Sequence, residues 1–555
     1  MTEAPGWFRW CGPGLFALAF LIRLLGIGWG LPTAERHWSL HPDEPVVLAA
    51  TNRIEPWVGK LDPGFYNYGT LPLSVFRFAG AIGPGGGDDW QGRASDLLSG
   101  RLVSGLAGAG CALVVFLALR GRTAWLGALL GGLAVAFAPG LVVHSNFMTV
   151  DTLGAFLAVL AVWLSMEAGW PVGEADDTRR NRWLLWAGMA AGLAASTKYS
   201  GVVVMVAPML AGLRLAPEKR LTWTGLSILG GIAAFVVTTP GIILQPMLFK
   251  RDFFYEMQHV ASGHGLVFAG TSPAWLFQVG NLAIAMGPFL VLLGVAGYVV
   301  AASHKVGWAV PVIIVAVLTY VLIGRAEVKF LRYTLPLVPL LGIGLGYLVG
   351  EAHKAGSPLA KLTVGLAILG IGGLPSGGAT ASLVALKAMS ETDPRDAAGS
   401  YLASKPPGTS VYLPNDTWFW SPTLAPGFAA PRWIRAEVRR AEAAQLTRPR
   451  VLLGEAAWDT RPLESDPDFV VFSSFEIEGE SRLLSLGVND GRTAAYAEFL
   501  EQLEKRYDRD RVFPVGGIVP QGLSAVHDMM YVRPMVWVWK RKTDSPTQSP
   551  TTSTP

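Results

Sequence analysis

The chain has 555 residues, of which 51% are hydrophobic and 15% are charged, and its formal net charge is +4. Because about a quarter of the residues in soluble globular chains are charged, this composition excludes an ordinary soluble protein. A net charge this close to zero gives no indication of a nucleic-acid partner. The two cysteines, Cys11 and Cys111, lie in or beside apolar segments. The polar part of the chain is therefore neither a disulfide scaffold nor a thiolate metal site.

Apolar runs recur from residue 13 to about residue 385. Each run is about 18 to 25 residues long, which is enough to cross a bilayer as a helix. A charge interrupts the weakest pair of runs at Ser196-Thr197-Lys198-Tyr199. We predict eleven membrane helices, at residues 13–31, 98–119, 125–143, 150–168, 184–197, 200–213, 221–240, 274–302, 308–324, 333–350 and 362–384.

Lysine and arginine in the loops indicate the orientation of these helices. One set of loops contains Arg9, Arg120, Arg122, Arg179, Arg180, Arg182, Arg214, Lys219, Arg220, Lys305, Lys354 and Lys361. The positive-inside rule places this set in the cytoplasm. The opposite, outer set includes residues 32–97, 144–149, 241–273 and 325–332. Eleven crossings then predict a multi-pass protein of the inner or plasma membrane, with its C-terminal domain outside the cytoplasm.

The polar remainder follows a membrane domain that we assign to residues 1–385. Residues 411–413, 469–472 and 535–539 have the composition of strands, and residues 494–506 have the period of an amphipathic helix. These patterns predict an α/β domain over residues 386–542. The Ser/Thr/Pro-rich tail, residues 543–555, is predicted to be disordered. The fold class is therefore mainly α, a polytopic helix bundle with a C-terminal α/β domain.

The first long outer loop carries the motif His41-Pro42-Asp43-Glu44-Pro45. A proline after an acidic residue suits the first turn of a helix, so the pair could simply cap that helix. The same pair could supply a general base at the membrane surface. We predict that Asp43 is the base and that Glu44 supports it. As the N-cap, Asp43 would hold its carboxylate beside free backbone amides, which keep it ionised.

A second carboxylate, Asp151, begins a predicted membrane helix after the outer turn His144-Ser145-Asn146. There it could do no more than favour the helix dipole. Alternatively, it could face Asp43 across a cavity as a second carboxylate or as a ligand of a divalent cation.

Positive charge also collects on the predicted outer side and at membrane depth. The residues concerned are Arg23, Arg101, Lys198, Arg325, Lys329 and Arg332. Taken singly, each of them could reach the lipid headgroups. An outer cluster of cations, against the positive-inside rule, instead suggests a bound anion, with phosphate the obvious choice. Arg23 could alternatively pair with a buried acid such as Glu44.

The aromatic segment Phe65-Tyr66-Asn67-Tyr68 lies at a predicted membrane boundary. Aromatic residues there usually belong to the interfacial belt. A minority interpretation gives Tyr68 a sugar-stacking or hydroxyl-positioning role.

Taken in order, these motifs resemble those of the GT-C fold glycosyltransferases, and among them glycosyltransferase family 39. Its relatives include protein O-mannosyltransferases and the lipid A aminoarabinose transferase. The motifs are Asp43-Glu44, Tyr68-Gly69-Thr70-Leu71-Pro72-Leu73, Asn146 to Asp151, Thr197-Lys198 and Arg332-Tyr333-Thr334-Leu335-Pro336. They span most of residues 20–340.

The resemblance implies a transferase that moves a sugar from a polyprenyl-phosphate donor to a hydroxyl of an acceptor lipid, glycan or protein, with inversion. It implies catalytic roles for Asp43 and Glu44. The implied substrate-binding residues are Tyr68, Arg101, Asp151, Lys198, Arg325, Lys329, Arg332 and Tyr333. A divalent cation, if one takes part, would lie at Asp43 and Asp151. The alternatives are a transporter or flippase of a lipid-linked sugar, or a non-catalytic scaffold.

Overall fold

The computed structural model describes residues 5–83, 86–374, 376–431, 433, 436–514 and 527–542. Within these residues the chain forms two compact units. The first comprises residues 5–33, 39–391 and 527–533, and the second comprises residues 34–38, 392–514 and 534–542. Residues 527–533 thus belong to the first unit, although the sequence pattern assigned them to the C-terminal domain. The tail predicted to be disordered lies outside the described residues.

The first unit forms helices and no strand over its described residues. Its α-helices are Cys11–Leu24, Glu44–Asn52, Leu71–Ile82, Trp90–Leu119, Trp125–Ala136, Pro139–His144, Val150–Gly169, Asp177–Thr197, Val206–Gly212, Pro217–Thr238, Gly241–Leu244, Pro246–Ser262, Ala274–Met286, Pro288–Ser303, Ala309–Gly324, Leu337–Ala355, Pro358–Gly372 and Gly378–Ser390. Its 3-10 helices are Gly6–Trp10, Pro56–Val58, Tyr199–Met205, Leu331–Thr334 and Met530–Val532.

Among the described residues, three helices are long and apolar enough to cross a bilayer: Trp90–Leu119, Val150–Gly169 and Pro217–Thr238. The bent pair Ala274–Met286 and Pro288–Ser303 would make a fourth. In its most apolar stretch the first of these is 72% buried and the third only 11%. Trp90–Leu119 therefore lies inside the bundle and Pro217–Thr238 at its periphery. The remaining predicted crossings coincide with shorter or more polar helices, so the number eleven stays a prediction.

Several predicted helix bounds are wrong, because glycine and proline break the apolar runs. The run 274–302 bends by 107° at Gly287, whose φ of +109° suits a residue without a side chain. The run 125–143 is interrupted at Pro139, which lacks an N–H group and forces the preceding residue into an extended conformation. The run 362–384 is split into two helices, and 200–213 begins as a 3-10 helix.

Two long segments predicted as loops contain helices. Residues 32–97 include Glu44–Asn52 and Leu71–Ile82, and residues 241–273 include Pro246–Ser262. These helices are too short or too polar to satisfy the apolar-run criterion, which detects spanning helices and not those that lie beside them.

The second unit is a five-stranded sheet with helices. The strands are β1 (Ser410–Leu413), β2 (Arg450–Leu453), β3 (Phe469–Ser473), β4 (Tyr507–Phe513) and β5 (Val536–Arg541). The helices of this unit are Pro394–Ala403, Ala436–Gln445, Ser474–Ser485 and Gly491–Arg506, with a 3-10 helix at Arg461–Ser465. The strand order is β2-β1-β3-β5-β4, with β1 parallel to β2 and β3, and β5 antiparallel to β3 and β4.

Alternate residues of the central strands enter two separate cores. Val411 and Val471 belong to one core, whereas Tyr412, Val470 and Phe472 belong to the other. Successive strand side chains point to opposite faces, so both faces of this sheet are covered. The predicted strands and the helix over residues 494–506 are confirmed, and with them the α/β fold of this unit.

Candidate active site

Arg332 lies at the centre of a cluster of carboxylates in the helical unit. It belongs to the 3-10 turn Leu331–Thr334 and is only 8% exposed. Its guanidinium nitrogens lie 3.2 Å from Asp43, 3.9 Å from Asp151 and 4.0 Å from Asp528. The ring of Phe330 packs against the guanidinium, 3.8 Å from its carbon to the ring centroid. Three carboxylates from distant parts of the sequence therefore share one cation.

Asp151 and Lys198 form the second part of the cluster. Asp151 is in the first turn of the helix Val150–Gly169, where the helix dipole favours its negative charge. The ammonium of Lys198 donates to its carboxylate at 2.8 Å and lies 4.1 Å from the ring centroid of Tyr333. Lys198 follows the helix Asp177–Thr197 in an extended conformation, which ends the helix where the sequence placed an interruption.

Asp43 occupies the N-cap position of the helix Glu44–Asn52, as predicted, but its carboxylate does not cap the helix. The side chain accepts no capping hydrogen bond in the described part of the chain. It pairs with Arg332 instead, and 31% of the side chain is exposed. The predicted stabilisation by backbone amides is therefore wrong. A guanidinium supplies the positive charge beside this carboxylate.

Glu44 and Arg101 lie outside the reach of a ligand. Both side chains are fully buried and form a bidentate pair, with distances of 2.8 and 2.7 Å. The remaining acceptor positions of Glu44 receive Ser39 Oγ at 2.5 Å and the backbone N–H of Met148 at 2.8 Å. This arrangement fits a positioning role for Glu44 and leaves the guanidinium of Arg101 occupied by a protein carboxylate, so its predicted substrate contact stays a prediction.

The predicted pairing of Arg23 with Glu44 is also wrong. Arg23 donates to Ser145 Oγ at 3.1 Å and to the carbonyl oxygens of Ala19 and Ala136. These local acceptors offset part of its desolvation, while its Nη2 is buried without a hydrogen-bond partner among the described residues.

The segment that carries Tyr68 is fixed by backbone contacts. The hydroxyl of Tyr199 donates to the carbonyl oxygens of Tyr66 and Tyr68, at 2.7 and 3.0 Å. A Cβ at Gly69 would lie 1.9 Å from the carbonyl oxygen of Ser196, so only glycine permits this approach. Burial, with a smaller contribution from Asp43, raises the pKa of the Tyr68 phenol well above its usual value. Tyr68 therefore remains a neutral hydrogen-bond donor.

Several of these groups line one cavity of about 690 Å³, and Asp43 lies beside it through its pair with Arg332. The charged and aromatic predicted residues on its wall are Tyr68, Asp151, Lys198, Arg325, Arg332 and Tyr333. The sequence did not point to Glu256, which also lines it from the helix Pro246–Ser262. Neither Arg325 nor Glu256 forms an ion pair with another described residue. The rest of the wall is largely apolar.

Lys329 is directed away from this cavity. Its ammonium donates to Thr271 Oγ1 and to the carbonyl oxygen of Ser272, both at 3.1 Å. Only 4% of its side chain is exposed. Lys329 does not line the cavity, and its described contacts hold a neighbouring loop, so its predicted substrate contact stays a prediction.

The sequence interpretation also missed Asp528 and His144. Asp528 is fully buried, and His144 Nε2 lies 3.6 Å from its carboxylate. His144 belongs to the outer turn that precedes Asp151, but the sequence predicted no role for its side chain. Nothing in the local pattern around Asp528 indicates a contact with a membrane helix.

Asp43 and Asp151 do not have the arrangement of a metal site. The guanidinium of Arg332 lies within 4 Å of both carboxylates and takes the position of a shared cation. The described residues contain no group of three or more His, Cys, Asp and Glu side chains that could hold a metal ion. The donor set proposed for a divalent cation therefore does not fit one.

Several solved structures are similar to this chain. That of ArnT from Cupriavidus metallidurans bound to undecaprenyl phosphate has 16% identity and a TM-score of 0.49, covering 97% of this chain and 98% of that one. The apo oligosaccharyltransferase of Archaeoglobus fulgidus has 14% identity and a TM-score of 0.48, covering 92% and 74%. The S. cerevisiae protein O-mannosyltransferase Pmt1-Pmt2 complex bound to the sugar donor has 18% identity and a TM-score of 0.31, covering 46% and 34%. Because each TM-score is below 0.5, these likenesses establish neither fold nor activity.

No curated protein has significant sequence similarity to this chain. Residues 93–244 match the sequence model of the family described as dolichyl-phosphate-mannose-protein mannosyltransferase. This segment contains Asp151, Thr197 and Lys198, three of the residues on which the resemblance rests. The match confirms, over this part of the chain, the resemblance to the GT-C glycosyltransferases of family 39.

Proposed function

We propose that the protein is an integral membrane glycosyltransferase that moves a sugar from a polyprenyl-phosphate donor to an acceptor hydroxyl. The observation that carries this proposal is the composition of the cavity wall. It joins a cluster of carboxylates and cations to a large apolar surface. An amphiphilic ligand with an anionic head and a hydrocarbon chain suits both parts of such a wall.

Asp43, which pairs with Arg332 of the cavity wall, is the base for the acceptor. Asp43 is about one-third exposed, whereas Glu44 is fully enclosed. Asp43 accepts the proton of the acceptor hydroxyl as its oxygen attacks the anomeric carbon of the sugar. The bond between that carbon and the phosphate oxygen breaks in the same displacement, so the configuration inverts. A positioned base of this kind contributes about 10²- to 10⁴-fold in rate.

Cations on the wall stabilise the departing phosphate. Lys198 and Arg332 are held by carboxylates, and Arg325 is free of ion pairs with the other described residues. Charge that develops on the leaving phosphate is stabilised best by donors that are already oriented and shielded from water. Tyr68, Asp151 and Tyr333 complete the polar wall as substrate-binding groups. The described geometry gives Arg101 and Lys329 no part in it.

The apolar wall suits the lipid chain of the donor. Four of its residues, Val202, Ile232, Met257 and Leu322, are between 42% and 61% exposed although they line the cavity. Ile232 belongs to the peripheral helix Pro217–Thr238, which is long and apolar enough to cross a bilayer. In a membrane, these residues would border hydrocarbon. A lipid-linked donor could therefore enter sideways from the bilayer.

A transporter or flippase of a lipid-linked sugar would use the same cavity. A transferase, unlike a transporter, breaks the bond between sugar and phosphate. Purified protein should therefore convert a radiolabelled polyprenyl-phosphate sugar to free polyprenyl phosphate and a glycosylated acceptor. Translocation of intact donor across vesicles without product would refute the transferase and favour the flippase. If the donor is neither cleaved nor moved across the vesicle membrane, the result would favour the non-catalytic scaffold.

Comparing cells with and without the protein would identify the acceptor. Mass spectrometry of their glycolipids, glycans and glycoproteins should show one sugar modification that depends on the chain. The protein is proposed to reside in the inner or plasma membrane with residues 386–555 outside the cytoplasm. Alkaline phosphatase and a fluorescent protein, fused in turn to the C-terminus, test this orientation. Fluorescence without phosphatase activity would contradict it.

A further inference from the structure

The segment 527–533 brings two buried side chains to the turn that carries Arg332. In sequence it lies between β4 and β5 of the second unit, yet it belongs to the helical unit. Asp528 is fully buried, and Tyr531 is 2% exposed. A charged residue is almost never completely buried unless it has compensating partners. The contacts of Asp528 therefore identify its role.

The carboxylate of Asp528 caps the turn from outside. Its two oxygens accept the backbone N–H groups of Leu331 at 3.1 Å and Arg332 at 2.9 Å. The first N–H groups of any helical turn lack partners within the turn. The residue before this turn, Phe330, supplies no side-chain cap in the described structure. Asp528 thus replaces a local capping residue from 196 positions away in the chain.

The same segment also contacts the side chain of Arg332. Asp528 lies 4.0 Å from Nη1 of Arg332, and the guanidinium also donates a hydrogen bond to the hydroxyl of Tyr531. The segment 527–533 therefore contacts both the backbone and the guanidinium of Arg332. A cap that served only the stability of the turn would not need to reach the guanidinium.

We infer that Asp528 is a positioning residue, supported by Tyr531, that fixes the Arg332 turn so that its guanidinium faces Asp43 and Asp151. The inference rests on the proposed function in one respect: Arg332 must take part in sugar transfer. It adds that a chain lacking the segment 527–533 has an incomplete active site. The contribution of Asp528 is indirect and passes through Arg332.

A double-mutant cycle separates this role from general stabilisation. Asp528→Asn replaces one acceptor oxygen by an amide that opposes a backbone N–H. We expect its kcat to fall about 10- to 100-fold, the range for a lost hydrogen bond to a charged group. When Asp528→Asn is added to Arg332→Lys, kcat should fall almost no further. The effects of residues that act as a unit are not additive. The inference would be overturned if the fold-loss of kcat in the double variant equalled the product of the two single losses. A wild-type kcat in Asp528→Asn would also overturn it.

A milder variant and a control guard against misfolding. Tyr531→Phe keeps the ring and removes only the hydroxyl, so it should lower kcat less than Asp528→Asn does. Added to Arg332→Lys, it should likewise cause almost no further loss of kcat. Arg533→Gln changes the same segment, but its guanidinium pairs with Glu391 at 3.2 Å. It should retain wild-type kcat. A loss in Arg533→Gln equal to that in Asp528→Asn would attribute the effect to the segment in general and refute the specific role.

Hydrogen exchange provides a readout that needs no substrate. In purified full-length protein, peptides containing Leu331 and Arg332 should exchange faster in Asp528→Asn than in the wild type. Unchanged exchange would refute the anchoring by Asp528, whether or not the enzyme is active. Absence of transferase activity in the wild type, with faster exchange in the variant, would instead refute the proposed function and leave the anchored turn established.

Discussion

Glu44 and Arg101 form a two-pronged ion pair from which solvent is completely excluded. Arg101 also donates to the carbonyl oxygens of Ile27 and Trp29, at 2.8 and 2.6 Å. Glu44 accepts the backbone N–H of Met148. The pair therefore connects the end of the first helix, the loop that carries Asp43 and the turn before Asp151. It positions the segments that carry Asp43 and Asp151, and it does not line the cavity.

Breaking this pair should destabilise the protein severely. Glu44→Gln leaves Arg101 buried with an incomplete set of acceptors, and removal of one partner of a buried ion pair costs about 3–5 kcal/mol. The midpoint of thermal unfolding in detergent should fall accordingly. Glu55→Gln is the matched control, because Glu55 pairs with Lys60 on the surface. Exposed pairs add little stability. Equal midpoints for the two variants would contradict the anchoring role of Glu44.

Asp43→Asn should separate chemistry from folding. Because the Asp43 side chain makes no cap hydrogen bond to described residues, the change should cost little stability. Removing the base should lower single-turnover rates about 10²- to 10⁴-fold. The assay uses a purified polyprenyl-phosphate sugar, with donor binding measured in parallel. If the Asp43→Asn protein turns over normally and folded Glu44→Gln does not, the base has been assigned to the wrong residue.

The sequence predicted the main charged cluster because charge at the ends of apolar helices is costly and conspicuous. Asp43, Asp151, Lys198 and Arg332 all meet as expected. Arg101 and Lys329 carried the same signal. Their neighbours in the fold determine their roles, since each has its donors occupied by a buried acid or by loop oxygens.

Asp528 and Glu256 show what the pattern could not reveal. Asp528 follows a stretch that has the composition of an α/β domain, and its partner lies 196 residues earlier. Glu256 lies on a helix too polar for a membrane span, within a region predicted as a loop. Contacts between such distant segments depend on packing, which no local periodicity encodes. The bend at Gly287 could be suspected from the glycine, but its angle could not.

Lys198 and Lys329 should respond differently to the same substitution. Lys198 lies on the cavity wall, so Lys198→Met should weaken binding of the polyprenyl-phosphate donor about 10- to 100-fold, as for a lost charge-assisted hydrogen bond. Lys198→Arg should retain part of that affinity. Lys329→Met should lower thermal stability and leave donor affinity unchanged, because this lysine contacts Thr271 and Ser272. Titration of each purified variant with a fluorescent donor measures its donor affinity, and thermal unfolding measures its stability. Equal affinity losses would place the phosphate elsewhere.

The apolar wall can be tested by a bulky residue. Ile232→Trp should raise KM for a long-chain donor and leave KM for a short-chain, water-soluble donor nearly unchanged, since only the longer chain reaches that wall. Leu229→Trp is the control. Leu229 is on the same helix and 61% exposed, but it does not line the cavity. Similar effects on both donors, or in both variants, would show that the lipid chain does not lie along this wall.

The α/β unit should lose stability as pH rises, because of Glu476. This carboxylate is buried at the start of the helix Ser474–Ser485, where it accepts the backbone N–H of Ser473 and the amide of Asn415. Burial raises its pKa from 4.5 to about 7 despite these hydrogen bonds. A carboxyl group with a raised folded-state pKa binds its proton more tightly in the folded than in the unfolded state. Its stabilising effect is therefore fully present below pH about 4.5 and is lost as pH rises through about 7.

The shift corresponds to about 3 kcal/mol, at 1.36 kcal/mol for each pKa unit. The stability of the α/β unit in the full-length protein can be measured by monitoring proteolytic cleavage within residues 436–514. This stability should decrease between pH 4.5 and 7. Glu476→Gln removes the titrating group, so its stability should be nearly independent of pH over that interval. Glu501→Gln is the control, because Glu501 pairs with Lys505 on an exposed face of the same unit. It should reproduce the wild-type slope. A wild-type slope equal to that of Glu476→Gln would show that Glu476 does not titrate in this interval and that its three hydrogen bonds, which include one from the Ser473 hydroxyl, offset its burial.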